Sequence, residues 1–331
     1  MPELAPRASP EAPDRRADVV LLAAISIWAL NFSAMKVGIA QIGPLPFPVL
    51  RYGVGAIVMA LFVLRHEASL RFERRDLGLL LVASVLGVTL NQLCVVFALQ
   101  LTTATNVSLL TATQPIFTAI IATIVGDEIL GRRHWTAVAL GMAGVVLIVE
   151  GGASQAAGAS AATSGGLPVG ELLALGVALT AAASWVAIRR LLARYSPYRI
   201  LTAQMAIGTA LLIPIAAPAL VSEDYAAVTP LGWGTLAYSA LLAGVVTNLL
   251  YYVGVRRVGA SRAAVYQYLQ SFLGVVFAVS LLHEPLRPLQ IVGGIVVVAG
   301  VALSRRDQLR LRRRPASHPV DPAASAAPHE T

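Results

Sequence analysis

The chain has 331 residues, 57% of them hydrophobic and 13% charged, where a soluble globular domain carries about 25% charged residues. The formal charge of +8 would suit a nucleic-acid partner, but the distribution of the basic residues over loops and termini gives a different answer. The one cysteine, Cys94, lies inside such a block, which excludes an intrachain disulfide and a cysteine zinc cluster.

A helix needs about 20 mostly apolar residues to cross the hydrocarbon layer. Ten blocks approach or exceed that length: 18–40, 44–64, 76–98, 102–125, 134–150, 168–192, 199–220, 230–254, 260–282 and 286–304. They predict an all-α polytopic membrane protein with ten transmembrane helices. A polar leader, 1–17, precedes the first block and no small-residue cleavage pattern follows it, so the block reads as a retained span and not as a signal peptide. Leader and basic tail, 305–331, are expected to be disordered and cytoplasmic. With both termini inside, 22 of the 25 Lys and Arg residues fall on the cytoplasmic side, and the opposite side holds only Arg287. That is the asymmetry that orients short-loop membrane proteins. The charge is topology, and no nucleic-acid partner is expected.

A constant shift of 156 residues lays the later part of one half on the other: Gly78 on Gly234, Ala104 on Ala260, Gln114 on Gln270, Glu128 on Glu284 and Gly144 on Gly300. Nearer the start, Trp28 falls on Trp185, while Pro44 falls on Pro197 and Gly55 on Gly208. The expected units are therefore a five-helix repeat at 18–150, a flexible extracytoplasmic linker at 151–167 and a second five-helix repeat at 168–304. Five is odd, so the second copy enters the membrane from the other side. Inverted-topology repeats are a hallmark of secondary transporters, whose substrate site lies near the midplane where the repeats meet.

In "LLTATQPIFTAIIATIV", 109–125, Gln114 and Pro115 stand side by side in an otherwise apolar block. Proline removes a backbone donor and crowds the carbonyl four residues back. Membrane helices tolerate this where Ser/Thr hydroxyls, water or neighbouring helices serve the freed groups. Pro115 thus marks a helix kink, and Gln114 must face protein or a wet cavity. Gln270 is its twin, with Ser271 in the place of the proline.

"WALNFSAMKVGI", "PFPVLRYGVGA" and the long stretch from "FALQLTTATNVSLL" to "GMAGVVLI" resemble the EamA-type branch of the drug/metabolite transporter superfamily. Its landmarks here are Ala98, Leu99, Pro115, Phe117, Glu128, Gly141 and Gly144, and "VGVRRVGASRAAVYQYLQSFLGVVFAVSLLHEPLRPLQIVGGIVVVAGVAL" is similar but lacks the proline. The resemblance covers nearly all of 18–304. It implies a ten-span carrier of small metabolites in a branch many of whose members export amino acids or toxic compounds.

The candidate substrate-binding residues are Trp28, Asn31, Asn91, Gln114, Trp185, Tyr266 and Gln270. Trp28 and Asn31 share a face of span one. Trp28 and Trp185 either flank a ligand or fill the repeat interface. Asn91 interrupts the small-residue stripe Gly87, Cys94, Ala98, and such a stripe by itself reads as close helix packing. Tyr266 and Gln270, four apart, set an aromatic surface beside an amide. Lys36 and Arg51 lie inside blocks without an acidic neighbour in sequence; each either snorkels or serves as a gate or a receptor for a substrate carboxylate. Glu128 and Glu284, at block ends, read as helix caps or partners of Arg132, Arg133 and Arg287.

No Asp, Glu or His lies near the middle of any block, so the usual proton-relay groups are missing. Neutral or zwitterionic solutes fit better than multiply charged phosphates. No G-x-S-x-G or paired-histidine motif occurs, so no enzyme, no metal and no cofactor is expected. The reading is an alternating-access exporter of amino acids or related amphiphiles, a monomer or homodimer embedded in the lipid bilayer, on composition a bacterial inner membrane. The alternatives are a lipid or polyprenyl-carrier flippase of the same fold and a drug or cation efflux carrier.

Overall fold

The computed structural model describes residues 15–67, 69–125, 132–156, 169–251 and 260–312, and within its helices the side chains of 15–17, 132–134, 137, 152–156, 260–268 and 301–312 also fall outside the description. Among the described residues every regular element is helical. The first half comprises α1 (Arg15–Ile42), α2 (Pro46–Glu67), a broken rod of α3 (Leu77–Ser84) and α4 (Asn91–Leu101), a second broken rod of α5 (Ala104–Thr111) and α6 (Gln114–Ile124), and α7 (Arg132–Ala156). The second comprises α8 (Val169–Leu191), α9 (Pro197–Ser222), α10 (Pro230–Ala237) with its continuation to Tyr251, α11 (Ala260–Leu282) and α12 (Pro288–Arg312). Seven stretches are long and apolar enough to cross a membrane, and 138–151, 269–282 and 288–300 are shorter apolar helices. The chain is a polytopic helical membrane protein.

Local chemistry sets the helix starts. Thr103, Ser196 and Thr229 cap α5, α9 and α10, each hydroxyl accepting from the N–H three residues on. Pro197 and Pro230 follow two of these caps at the first helical position, where a proline loses nothing. Between α1 and α2 the chain turns through Gly43 at φ 83°, a region open to glycine at no steric cost. Helix continues past two expected block ends, to Ala156 in α7 and to Arg312 in α12. Neither "GGASQA" nor "RRDQLRLR" contains a proline to stop it. The leader to residue 14, the linker from 157 and the tail from 313 lie outside the described residues.

Both broken third rods widen into a π-helix, at Val85–Leu90 and at Tyr238–Val246, and the 156-residue shift brings the two segments into overlap. Such segments are rare and favour functional sites. Where the bonding register changes, a nearby carbonyl is opened to a side-chain donor. Ala83 and Ser239, one near the start of each segment, both accept bonds from side chains of other helices.

Contacts between loops define the two ends of the bundle. At one, Gln41 Oε1 accepts from Thr229 Oγ1 at 2.6 Å and Lys36 reaches Glu284. At the other, Glu67 accepts from Ser196 and Asp76 accepts from Arg194 and Tyr195. These are called below the Gly43 end and the Asp76 end. The main apolar core lies nearer the Gly43 end and draws on both halves, with Met35, Phe47, Leu99, Leu110 and Ile148 packed against Val177, Leu236 and Val297. Hydrocarbon gives apolar helices no reason to associate, so close approach and hydrogen bonds must hold them. Gly144 and Gly293 supply that approach between α7 and α12: a Cβ on either would stand 2.7 Å from the other's carbonyl oxygen.

Candidate functional site

Arg51, one turn into α2, is 7% exposed. Its Nε donates to the Ser239 carbonyl at 3.1 Å, and Nη1 donates to Gln92 Oε1 and to Met35 Sδ, both at 3.2 Å. The guanidinium carbon also lies 4.9 Å from the Tyr52 ring centroid. From Arg51 the polar contacts run both ways. Ser239 Oγ donates to Asn31 Oδ1 at 2.7 Å, and Asn31 Nδ2 donates to Met35 Sδ. Gln92 Nε2 donates to Asn91 Oδ1 at 3.3 Å, and Asn91 Nδ2 donates to Val177 O and Thr180 Oγ1, both at 3.0 Å. One line of polar groups therefore crosses from α1 through α2 and the third rods of both halves to α8.

Every acceptor on Arg51 is neutral, and among the described residues Nη2 has no protein acceptor. A buried ion without an opposite charge costs several kcal/mol. A carboxylate would offset that cost by its charge and could accept from the Nη2 hydrogens, which have no acceptor among the described residues.

A second polar cluster lies toward the Gly43 end. Lys36 Nζ is 3.1 Å from Glu284 Oε1 and donates to Thr102 O at 2.8 Å. Glu284 itself accepts from Ala104 N at 2.9 Å and from Thr105 N and Oγ1 at 2.8 Å, which caps α5 with a carboxylate. His283, in the left-handed region at φ 52°, turns the chain so that Glu284 meets that helix start. Burial pushes the Glu284 carboxyl up, but the Lys36 charge and the Thr105 and Ala104 donors outweigh it and hold the carboxyl below its ordinary value. Beside it, Glu171 at the start of α8 is 5% exposed and accepts from Thr102 Oγ1 at 2.6 Å and Asn106 Nδ2 at 3.0 Å. Gln290 Nε2 closes the cluster on Asn106 Oδ1 at 2.7 Å.

The structure brings Asn31, Asn91 and Arg51 into one network and sets Trp28 at its edge. Trp28 Nε1 donates to Ala243 O at 3.0 Å, and its ring lies 5.2 Å from that of Tyr251. Lys36 belongs to the other cluster. Its partner is Glu284, 248 residues away in sequence, so the pairing of Glu284 with Arg287 gives way to a pairing with Lys36. Gln114 and Gln270 are half-buried, and among the described residues neither amide has a hydrogen-bond partner. Trp185 is half-buried too, with no polar contact to the Arg51 network. Pro115 sits in the first turn of α6, directly after the break at Ala112–Thr113 that divides the fourth rod. There Thr113 Oγ1 donates to Leu110 O and Thr118 Oγ1 to Gln114 O. Tyr266, Glu128, Arg132 and Arg133 lie outside the described residues or side chains. Sequence reasoning missed Gln92, Ser239, Thr180 and Glu171. Gln92, next to Asn91 in an apolar block, carried the only local signal.

Helices of this length around a buried polar network that joins two related halves define a membrane carrier of tandem-repeat type. The chain belongs to the EamA-like transporter family, whose model matches residues 15–150 and 168–306. It is 28% identical over 292 residues to an uncharacterized transporter of Archaeoglobus fulgidus, covering 88% of this chain and 97% of that one. It is 27% identical over 305 residues to a probable terminal-alkyne amino-acid exporter of Streptantibioticus cattleyicolor, covering 90% and 96%. It is 27% identical over 296 residues to a pseudopaline exporter of Pseudomonas aeruginosa, covering 86% and 95%. A solved crystal structure shares the fold at a TM-score of 0.61 and 18% identity, over 90% of this chain and 99% of that one.

Proposed function

We propose that the chain is a ten-span, inverted-repeat exporter of small amphiphilic metabolites carrying a carboxylate, amino acids or their relatives, and that the carboxylate binds at Arg51. The observation that carries this is a buried guanidinium that, among the described residues, has neutral acceptors only and none at Nη2. The printed functions of two relatives, export of a terminal-alkyne amino acid and of pseudopaline, agree in substrate type. Asn31, Gln92 and Asn91 fix the guanidinium in place, and Trp28 and Tyr251 offer the apolar wall for a side chain. Gln114, Trp185, Tyr266 and Gln270 complete the pathway in states where the halves are displaced. Both termini face the cytoplasm of a bacterial cell, and the Gly43 end faces outward. Alternating access follows as residues 18–150 and 168–304 rock about Arg51, opening Gln41–Thr229 or Asp76–Arg194 in turn.

The test is uptake of a labelled amino-acid panel into proteoliposomes by the intact protein, Arg51→Gln, Gln114→Ala and Gln270→Ala. Saturable flux that Arg51→Gln abolishes, with the variant folded and reconstituted, is the expected result. Absence of saturable flux for every amino acid in the intact protein overturns the reading.

A further inference from the structure

At the Gly43 end a cleft of about 460 Å³ opens beside α1, with Lys36, Gln41, Thr103 and Glu284 on its polar side and Val37, Ala40 and Leu282 as apolar wall. Its polar side is rich in unused donors. An ammonium has three hydrogens, and Lys36 Nζ spends two, on Thr102 O and Glu284 Oε1. Gln41 accepts from Thr229 through Oε1, and among the described residues its Nε2 has no acceptor. The Thr103 oxygen accepts from Asn106 N, and among the described residues its own hydrogen has no acceptor. The acceptor that faces these donors, the Glu284 carboxylate, is already held by Ala104 N, Thr105 N and Thr105 Oγ1. Glu284 therefore keeps three donors if Lys36 turns away, which makes Lys36 exchangeable. Free donors beside an apolar wall suit an acceptor-bearing head on a short hydrocarbon chain, which a carboxylate of such a solute supplies.

We propose that this cleft is a second binding site for the carboxylate end of an amphiphilic solute, where Lys36 exchanges Glu284 for the incoming carboxylate. The inference rests on the reading of the chain as a carrier of such solutes and adds a way-station to it. Met35, which accepts from Arg51 Nη1, immediately precedes Lys36 in α1. The Arg51 network and the cleft thus draw on consecutive residues of α1.

The test uses the full chain with Cys94→Ala, its one native cysteine removed, and Ala40→Cys as a reporter in the cleft wall. The rate at which a membrane-impermeant thiol reagent modifies position 40 is measured with isovalerate or with its neutral amide, isovaleramide. Isovalerate is expected to slow modification and isovaleramide to leave it unchanged. Lys36→Met is expected to raise the half-protecting isovalerate concentration about tenfold, the factor for one charge-assisted hydrogen bond. Gln41→Glu keeps the acceptor for Thr229 and removes the donors, so it is expected to weaken protection even if Lys36→Met fails to fold. Arg51→Gln is expected to leave protection intact. Equal protection by acid and amide, protection that survives both Lys36→Met and Gln41→Glu, or protection lost with Arg51→Gln overturns the proposal. Amino-acid flux without protection refutes the cleft alone, and protection without flux refutes the transport reading alone.

Discussion

Arg51 and Gln204 make the same contact in opposite halves of the chain: Arg51 Nε donates to Ser239 O at 3.1 Å, and Gln204 Nε2 donates to Ala83 O at 2.9 Å. The donors are related by the 153-residue shift and the acceptors by the 156-residue shift, so the pair is one ancestral bond written twice. Only the first copy is charged. In the second, both Nε2 hydrogens are taken, since Ser184 Oγ donates to Ala83 O and accepts from Gln204.

That asymmetry separates stability from activity. Arg51→Gln installs the side chain that the second half already uses and removes a buried ion that has no counter-charge among the described residues. Melting of the purified protein should shift by no more than the equivalent of about 1 kcal/mol in either direction, while amino-acid flux falls about a hundredfold or more. The reciprocal change, Gln204→Arg, buries a second unpaired cation and should destabilise by about 3 kcal/mol or more. A strongly destabilised Arg51→Gln would make Arg51 a structural tie.

Glu284 joins the turn after α11 to the start of α5 and to Lys36. Glu284→Gln keeps one acceptor oxygen and loses the charge, and the expected cost is about 1–3 kcal/mol at neutral pH. The sign with pH follows from its carboxyl, which is held below the ordinary value in the fold. A depressed carboxyl stabilises fully above its unfolded value, about 4.3, and loses that contribution as pH falls through the lower folded value. The melting difference between the native protein and Glu284→Gln should be constant from pH 7 to 5 and shrink below about pH 4. A difference that grows on acidification would contradict the assignment.

Much of this architecture was legible from periodicity, because a 156-residue shift is visible wherever small or polar residues stand out in apolar blocks. Trp28, Asn31, Arg51 and Asn91 stood out in the same way. The pairings did not: Lys36 and Glu284 are 248 residues apart, and Ser239 accepts from Arg51 through its backbone, which no side-chain pattern announces. The equivalence of Arg51 with Gln204 was hidden by the change of residue type, though the shift contained it. Glu171 was passed over because it lies at a block end, where a carboxylate usually meets water; here Gly170 presses on Leu101 and Thr102 and closes the site. The π segments have no sequence signature of their own, since "VLGVTL" and "YSALLAGVV" read as ordinary helix.

Two pairs of glycines give opposite expectations. A Cβ on Gly144 would meet Gly293 O, Val297 N and Val297 Cγ2 at 2.7–2.8 Å, and two of those atoms are backbone. Gly144→Leu or Gly293→Leu must therefore push α7 from α12, with an expected loss of about 2 kcal/mol or more, and the double variant should cost less than the sum. Gly78 and Gly234, themselves repeat partners, have nothing within 4 Å of the added atom. Gly78→Ala and Gly234→Ala should raise stability by about 0.5–1 kcal/mol each through helix propensity. Thermal melts in one detergent would check all five variants.

The Asp76 end is tied by a carboxylate that accepts from Arg194 Nη1 at 2.8 Å and from Tyr195 OH at 2.8 Å, while Glu73 N donates to the Tyr195 hydroxyl at 3.0 Å. Its counterpart at the other end, Gln41 on Thr229, links the turn of the first half to the start of α10 in the same way, but without charge. Arg194 is 45% exposed, so solvent screens the ion pair and it contributes little to folding. Its effect should show instead in the balance between open and closed ends. Asp76→Asn keeps an acceptor for Tyr195 and discharges the tie to Arg194. Spin labels at Ser69→Cys and Ala193→Cys should then report a longer and broader distance distribution than in the same pair with Asp76 intact. A distribution that stays the same, with the melting temperature also unchanged, would mean that the tie neither holds this end shut nor stabilises the fold.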